Sequence, residues 1–307
     1  MSLPTPVAGA PPAGPNRARR AATLAGAVTG VLALHGGNVG YRVRNQLVWL
    51  GELLAFVVKV VRAIPLVLRH HRRELWRLIG EVTFGGGILT IAASTIVVSA
   101  LLASVVGVQL GIEGLQGLNI IGLTPLTGLL SAFANTRELS PLLAGYGLAA
   151  QMGCKFTAQL GAMKVNEEID ALEVMSIPSL PYLVTTRLLA ALAAVIPLYL
   201  LALSGAYLAT QFAVLTIAHQ GSGTYLHYFY LFLNRRDVFF SVLKVVVFAV
   251  LVTIIHCYYG MTASGGPEGV GRATGRAIRM STVTIAITDM LMTLLFWGIT
   301  VPVKVTG

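Results

Sequence analysis

Charge is what this chain has least of. Asp, Glu, Lys and Arg make up 11% of its 307 residues, against 55% hydrophobic ones, and the mean hydropathy is +0.77. A soluble domain needs far more charge to cover its surface, so the scarcity excludes one and makes lipid the solvent. Cysteine is nearly absent: Cys154 and Cys257 lie in different apolar segments without the spacing of metal ligands, and both read as buried small apolar residues. No GxxxxGK followed by Ser or Thr occurs anywhere, which excludes a phosphate loop in this chain. No short apolar stretch with a cleavage site follows the first arginines, so residues 1–45 read as a flexible, basic, Pro-rich cytoplasmic tail rather than a signal peptide.

What is present is a series of long apolar runs. A spanning helix needs about 20 apolar residues, and the runs 84–108, 121–150, 183–212, 238–259 and 283–303 qualify. The expected fold class is an all-α integral membrane protein with five transmembrane helices, the membrane domain covering 46–307. Within 46–78 lies a further apolar stretch whose polar residues Glu52, Lys59 and Arg62, with Ala55 and Ala63, gather on one side of a helical wheel. That one-sided stripe is the mark of an interfacial helix; the alternative, a sixth span over 46–68, would reverse the topology that the other charges support. The net charge is +10, and eleven of the 22 Lys and Arg precede residue 78, mostly flanking apolar runs. This placement fits an anionic leaflet and gives no folded basic face for nucleic acid. Arg69, Arg72, Arg73 and Arg77 precede the first run, while the loop 107–122 has neither Lys nor Arg. Together with Lys155, Lys164, Arg272, Arg276 and Arg279 they predict an N-terminus inside and a C-terminus outside, against which Arg235 and Arg236 stand.

Between the second and third runs a helix is expected over 159–175, stopped by Pro178 and Pro181. Val165, Ile169 and Leu172 form its apolar stripe, and Glu167, Asp170 and Glu173 an acidic side, with Glu168 beside them. It is either a solvated surface helix or one offered to a partner in the water. No His accompanies the acids, which argues against acid–base catalysis. Inside the apolar runs stand Arg137, Glu138, Lys244 and Asp289, where ionisable groups are costly and tend to be functional. Arg137 or Lys244 is expected to pair with Asp289. Arg137 and Glu138 are about 100° apart on a regular helix, so they are expected to face different partners, either as polar glue or at a cavity for a lipid head group. His256 and Tyr258 read as interfacial anchors without chemistry.

The segment GAMKVNEEIDALEVMSIP (161–178) closely resembles the signature of the MlaE/YrbE permeases, the membrane subunits of Mla- and Mce-type lipid transporters. RELSPLLAGYGLAAQMG (137–153) and GGPEGVGRATGRAI (265–278) match as well, and the resemblance runs from about residue 45 to the C-terminus. The family's usual Glu-Gln pair stands here as Glu167-Glu168, a departure that bears on how the motor is engaged. The resemblance implies an ABC transporter permease with five spans, an N-terminal interfacial helix and a coupling helix that docks in a groove of a cytoplasmic P-loop ATPase. Carried over, the docking positions are Glu167, Glu168, Asp170, Ala171, Leu172, Glu173 and Met175. ATP and magnesium belong to that partner, and this chain is a transport subunit, not an enzyme. The Gly-rich run 265–275 is expected as a tight cytoplasmic loop capping a short helix, with Arg272, Arg276 and Arg279 turned to lipid phosphates or the ATPase. The Ala- and Gly-rich chain with its basic tail is similar to the actinobacterial branch, which implies a heterodimer with a second YrbE-type chain, Mce proteins outside, a bacterial plasma (inner) membrane, and import of fatty acids, mycolic acids or sterols. The rival functions are a non-transporting scaffold for Mce proteins and a proton-coupled secondary transporter.

Overall fold

The computed structural model describes residues 51, 55–69, 72–84, 95–217 and 220–298. The expected tail over 1–45, the start of the interfacial stretch, residues 85–94 of the first expected span and 299–303 of the last therefore lie outside the described residues. Chain contacts separate a unit ending at Phe56 from one running Val57–Gly307, and the helical bundle belongs to the second.

Every described element is helical. Helix α1 covers 55–69, α2 Arg72–Phe84 and α3 Thr95–Ile120. A chain of shorter pieces comes next: α4 (Thr127–Ala134), α5 (Ser140–Leu148) and α6 (Cys154–Val165), joined by π-helical turns at Asn135–Leu139 and Ala149–Gly153. Then come α7 (Glu168–Val174), α8 (Thr186–Ile217), α9 (Ser222–Phe232), α10 (Arg235–Met261) and α11 (Gly266–Trp297). Four helices among the described residues are long and apolar enough to cross a membrane: Val97–Ile120, Pro181–Ile217, Arg235–Met261 and Gly266–Trp297. The expected second span over 121–150 is met instead by the broken train α4–α5–α6.

Helices α8 and α10 form the inside of the bundle, with half of the apolar window of each buried, against 22% for α3 and 17% for α11. Helix α3 lies along α8, and α11 and α6 lie against α10. The first expected span stops at 108 whereas α3 continues to Ile120, because Gly107, Gly111 and Gly114 are contact points rather than breakers. A Cβ at Gly107 would stand 2.5 Å from the Ala206 carbonyl oxygen, so the two backbones touch there. Small residues allow this close approach in membrane helix pairs. The carbonyl of Gly107 also accepts a hydrogen bond from Thr210 at 2.9 Å.

The described residues of the interfacial stretch expected over 46–78 are helical and fall in α1 and α2, with α2 extending to Phe84. In α1 the buried stripe is Val60, Ala63 and Val67, and Lys59 and Arg62 are exposed. Ala63, grouped with the polar side in the sequence, belongs to the buried one, and Thr185 donates to the Val60 carbonyl at 3.3 Å. The Gly-rich run 265–275 is not a loop: Gly265, at φ +90°, turns the chain and α11 starts at Gly266 with Pro267 in its first turn. Proline suits that position because the N–H it lacks has no partner there.

Helix α10 begins beside α9 and ends beside α6, and its 27 residues span about 40 Å at 1.5 Å per residue. One end carries α9. The other carries α7.

Candidate functional site

At the α7 end, the helix expected over 159–175 is broken at Asn166 and Glu167. Glu167 sits at φ +60°, in the left-handed region, and separates α6 from α7. A side-chain periodicity that runs through both helices cannot reveal that turn. Ile169, 3% exposed, holds α7 onto the body, with Leu172 half-buried beside it. The other face is open: Glu167, Glu168, Asp170, Ala171, Glu173 and Met175 are all exposed. Val174 is 86% exposed and belongs to the same face, which the acidic pattern around it conceals. Lys164 reaches Asp170 at 2.9 Å, and that hydrogen bond raises the lysine pKa above its ordinary value. Ser179 donates to Glu173 at 2.7 Å and Asn166 to Glu168 at 3.2 Å. These contacts tie Glu168, Asp170 and Glu173 to neighbouring side chains.

Helix α6 carries α7 and lies against both α10 and α11. His256 on α10 fastens this junction: its Nδ1 is 2.8 Å from the Thr157 hydroxyl on α6 and its Nε2 is 3.1 Å from the Ser281 hydroxyl on α11. Buried deep in the bundle, it is a three-helix clamp rather than an interfacial anchor. Gly153 makes room for its ring, a Cβ there falling 2.6 Å from Cδ2. Arg272, Arg276 and Arg279 are exposed on the first turns of α11, with Arg272 paired to Glu268 at 3.2 Å. Cys257 is buried and Cys154 half-buried, and both are free thiols.

The charges inside the bundle form one ladder. Pro141 has no N–H to give to the carbonyl four residues back, and that carbonyl, of Arg137, accepts instead from the Lys244 ammonium at 2.8 Å. Lys244, fully buried, also meets Asp289 at 2.6 Å, Glu138 at 3.3 Å and the Thr293 hydroxyl at 2.8 Å. Thr293 in turn donates to Glu138 at 2.9 Å. Arg137 takes a different acid: its guanidinium reaches Asp237 at 2.8 and 3.2 Å, and Trp297 donates to the other oxygen of that carboxylate at 2.8 Å. Of the two partners expected for Asp289, then, Lys244 holds it and Arg137 does not.

A regular helix would turn Arg137 and Glu138 apart, yet both face α10. Asp237 and Lys244 stand seven residues apart on one face of that helix, and the π turn over Asn135–Leu139 departs from the regular 100° step. Residues Asp289, Thr293 and Trp297 recur every four positions on α11, which is how one face supplies all three rungs.

Above the ladder, at the α9 end, opens a cavity of about 560 Å³ walled by Phe133, Phe240, Phe296 and Trp297, with Arg137, Arg236 and Asp237 on its lining. Among the described residues no cluster of His, Cys, Asp and Glu could hold a metal.

The sequence pattern of the family described as permease MlaE matches residues 84–295, which takes in α3 to α11 and with them both the exposed α7 ridge and the charge ladder. The chain belongs to that family. Within it, similarity extends to a probable ABC transporter permease protein of Rickettsia bellii, 36% identical over 167 residues that make up 53% of this chain and 63% of the other. The protein TRIGALACTOSYLDIACYLGLYCEROL 1, chloroplastic, of Arabidopsis thaliana is 30% identical over 200 residues, 65% of this chain and 57% of the other. A probable ABC transporter permease protein of Synechocystis is 30% identical over 216 residues, 68% and 80% of the two chains. The chain thus spans less than two thirds of the length of the first two relatives.

Three members of the ladder in this MlaE-family permease escape sequence reasoning: Asp237, Thr293 and Trp297. Asp237 stands at the edge of an apolar run, where an acid in a helix's first turn is ordinary. The signal that could have found them is the shared face with Lys244 and Asp289.

Proposed function

We propose that this chain is the permease subunit of an ATP-driven lipid transporter of the Mla/Mce class. The observation that carries the reading is α7, a short helix pinned by Ile169 that turns four acids, Val174 and Met175 outward. A solvated helix with no partner has little reason to expose Val174 and Met175 next to Glu173. A helix that enters a groove does: the apolar pair supplies contact area and the acids fix the register against a basic rim. The partner is a separate P-loop ATPase that brings ATP and magnesium. Motion imposed on α7 passes to α6 and, through the His256 clamp, to α10 and α11. These are the helices that carry the charge ladder and the aromatic cavity.

On this reading α4–α6 crosses the bilayer together with α3, α8, α10 and α11, giving five crossings. The α7 end is cytoplasmic, the α9 end outside, the chain starts inside and finishes outside, and the membrane is a bacterial inner membrane. A second YrbE-type chain completes the lipid path, Mce proteins continue it outside, and fatty acids, mycolic acids or sterols are carried inward. The family membership and the exposed face of α7 support the motor contact. The arginines at the α7 end support the orientation.

The test is purification of the tagged chain in mild detergent beside a variant with Glu167, Glu168, Asp170 and Glu173 changed to Lys, with mass spectrometry of what accompanies each. A P-loop ATPase is expected with the native chain and not with the variant. An ATPase retained equally by both would remove α7 as the dock.

A further inference from the structure

The cavity at the α9 end is built to read a charge, and it does so with a residue the ladder does not use. Of the three charged groups on its wall, Arg137 and Asp237 neutralise each other at 2.8 Å. Arg236 is left. Its guanidinium lies over the Phe240 ring, 5.1 Å from the centroid, and among the described residues no acid forms an ion pair with it. Its backbone N–H is fixed by the Asn234 side chain at 3.0 Å, so the start of α10 is held in place beside the opening. The cavity's net charge is therefore one positive, and apart from Leu231 and Asn234 the rest of its wall is aromatic: Phe240 stacks on Phe296 with centroids 4.6 Å apart, and Trp297 stands edge-on to Phe240.

A single cation at the mouth of an aromatic slot of about 560 Å³ matches one chemistry, an amphiphile with one negative head and an apolar tail. The volume falls within the range of about 300–1,000 Å³ usual for small-molecule sites. Guanidinium binds a planar carboxylate through two parallel N–H bonds, and the helix start beside it adds partial positive charge of the same sense. A neutral sterol would leave the cation of Arg236 without a counter-charge, and a zwitterionic head would bring a second positive group against it. We infer that this cavity is a head-group subsite for a long-chain carboxylate lipid, with Arg236 as the residue that selects the acid. The inference rests on the lipid-permease reading and narrows its substrates by setting the lipid acids apart from the sterols. In that role one of the two arginines that oppose the topology in the sequence gains a reason: Arg236 stands at the outer end because the substrate's charge is met there.

The test is photolabelling of the full chain, purified with its partners in nanodiscs, by a diazirine-bearing hexadecanoic acid and by the methyl ester of the same probe. Labelled peptides are mapped for native protein, R236Q and R236K. Arg236 is exposed and outside the buried ladder, so neither change removes a packing contact in the core. The acid is expected to label the cavity walls on α10 and α11 at least tenfold more than the ester, R236Q to fall to the ester's level, and R236K to recover most of the labelling. Unlabelled hexadecanoate should compete, whereas acetate and inorganic phosphate should not. Equal labelling by acid and ester, or labelling unchanged in R236Q, overturns the head-group assignment while leaving the lipid-permease reading intact. Displacement by acetate or phosphate overturns it too, as a bare anion site. If neither probe labels the cavity above background, the head-group assignment is overturned as well, and the lipid-permease reading is left with a cargo other than a lipid acid.

Discussion

Lys244 is buried to its ammonium, and its acceptors come from two different stretches of the chain. The Arg137 carbonyl is available only because Pro141 stands four residues on; Glu138 comes from the same turn, and Asp289 and Thr293 from α11. Breaking a buried ion pair from one side leaves an uncompensated charge and costs about 3–5 kcal/mol, whereas removing both partners is often nearly neutral. For Arg137 and Asp237, with side chains only 18% and 11% exposed, this gives a direct expectation. Asp237→Leu should lower the melting temperature of the detergent-purified chain markedly, and adding Arg137→Met should restore much of the loss. A double variant no more stable than the single one would show that the pair is not what holds α4, α10 and α11 together. The ladder is half legible in the sequence. Charges within apolar runs announce themselves by their cost, which is how Lys244 and Asp289 can be matched. Asp237 and Thr293 give no such signal: an acid at a helix start and a threonine among aliphatic residues are both commonplace, and only the folded register brings them to the same face.

Helices are legible where apolar length decides and obscure where glycine or a short turn does. The cores of α8 and α10 coincide with the expected spans 183–212 and 238–259. The stretch 107–122 reads as a loop and is helix as far as Ile120, since glycines 107 and 111 are where α8 comes close. The acidic stripe over 159–175 reads as continuous and is interrupted, since a single left-handed residue, Glu167, leaves no trace in a hydrophobic pattern. The His256 clamp depends on the same economy of space. Gly153→Ala should push against the imidazole and loosen α6 from α10, costing about 1–3 kcal/mol as overpacking does. Thermal unfolding should report it, and His256→Ala introduced alongside should relieve the clash and recover part of the stability. If Gly153→Ala unfolds like the native chain, the junction is looser than the contacts imply.

The bundle has two functional ends joined by α10. At one, α7 presents a fixed acidic and apolar ridge; at the other, an aromatic cavity opens above a ladder of buried charge, and α6, α10 and α11 connect the two. Membrane class and the exposed acidic helix are legible in the sequence from hydropathy and from the family signature, whereas the cavity is not, because Phe133, Arg236, Phe240 and Trp297 are scattered over three elements. The central claim is that α7 receives the motor. It is tested most directly by installing a photoreactive phenylalanine analogue at Val174, which is exposed and lies outside the bundle core, and irradiating intact membranes. A covalent adduct with a P-loop ATPase is expected from position 174, and none from the same probe at Leu201, an exposed residue midway along α8. An analogue at 174 that captures only lipid or water, while the chain remains folded and membrane-embedded, would contradict the claim.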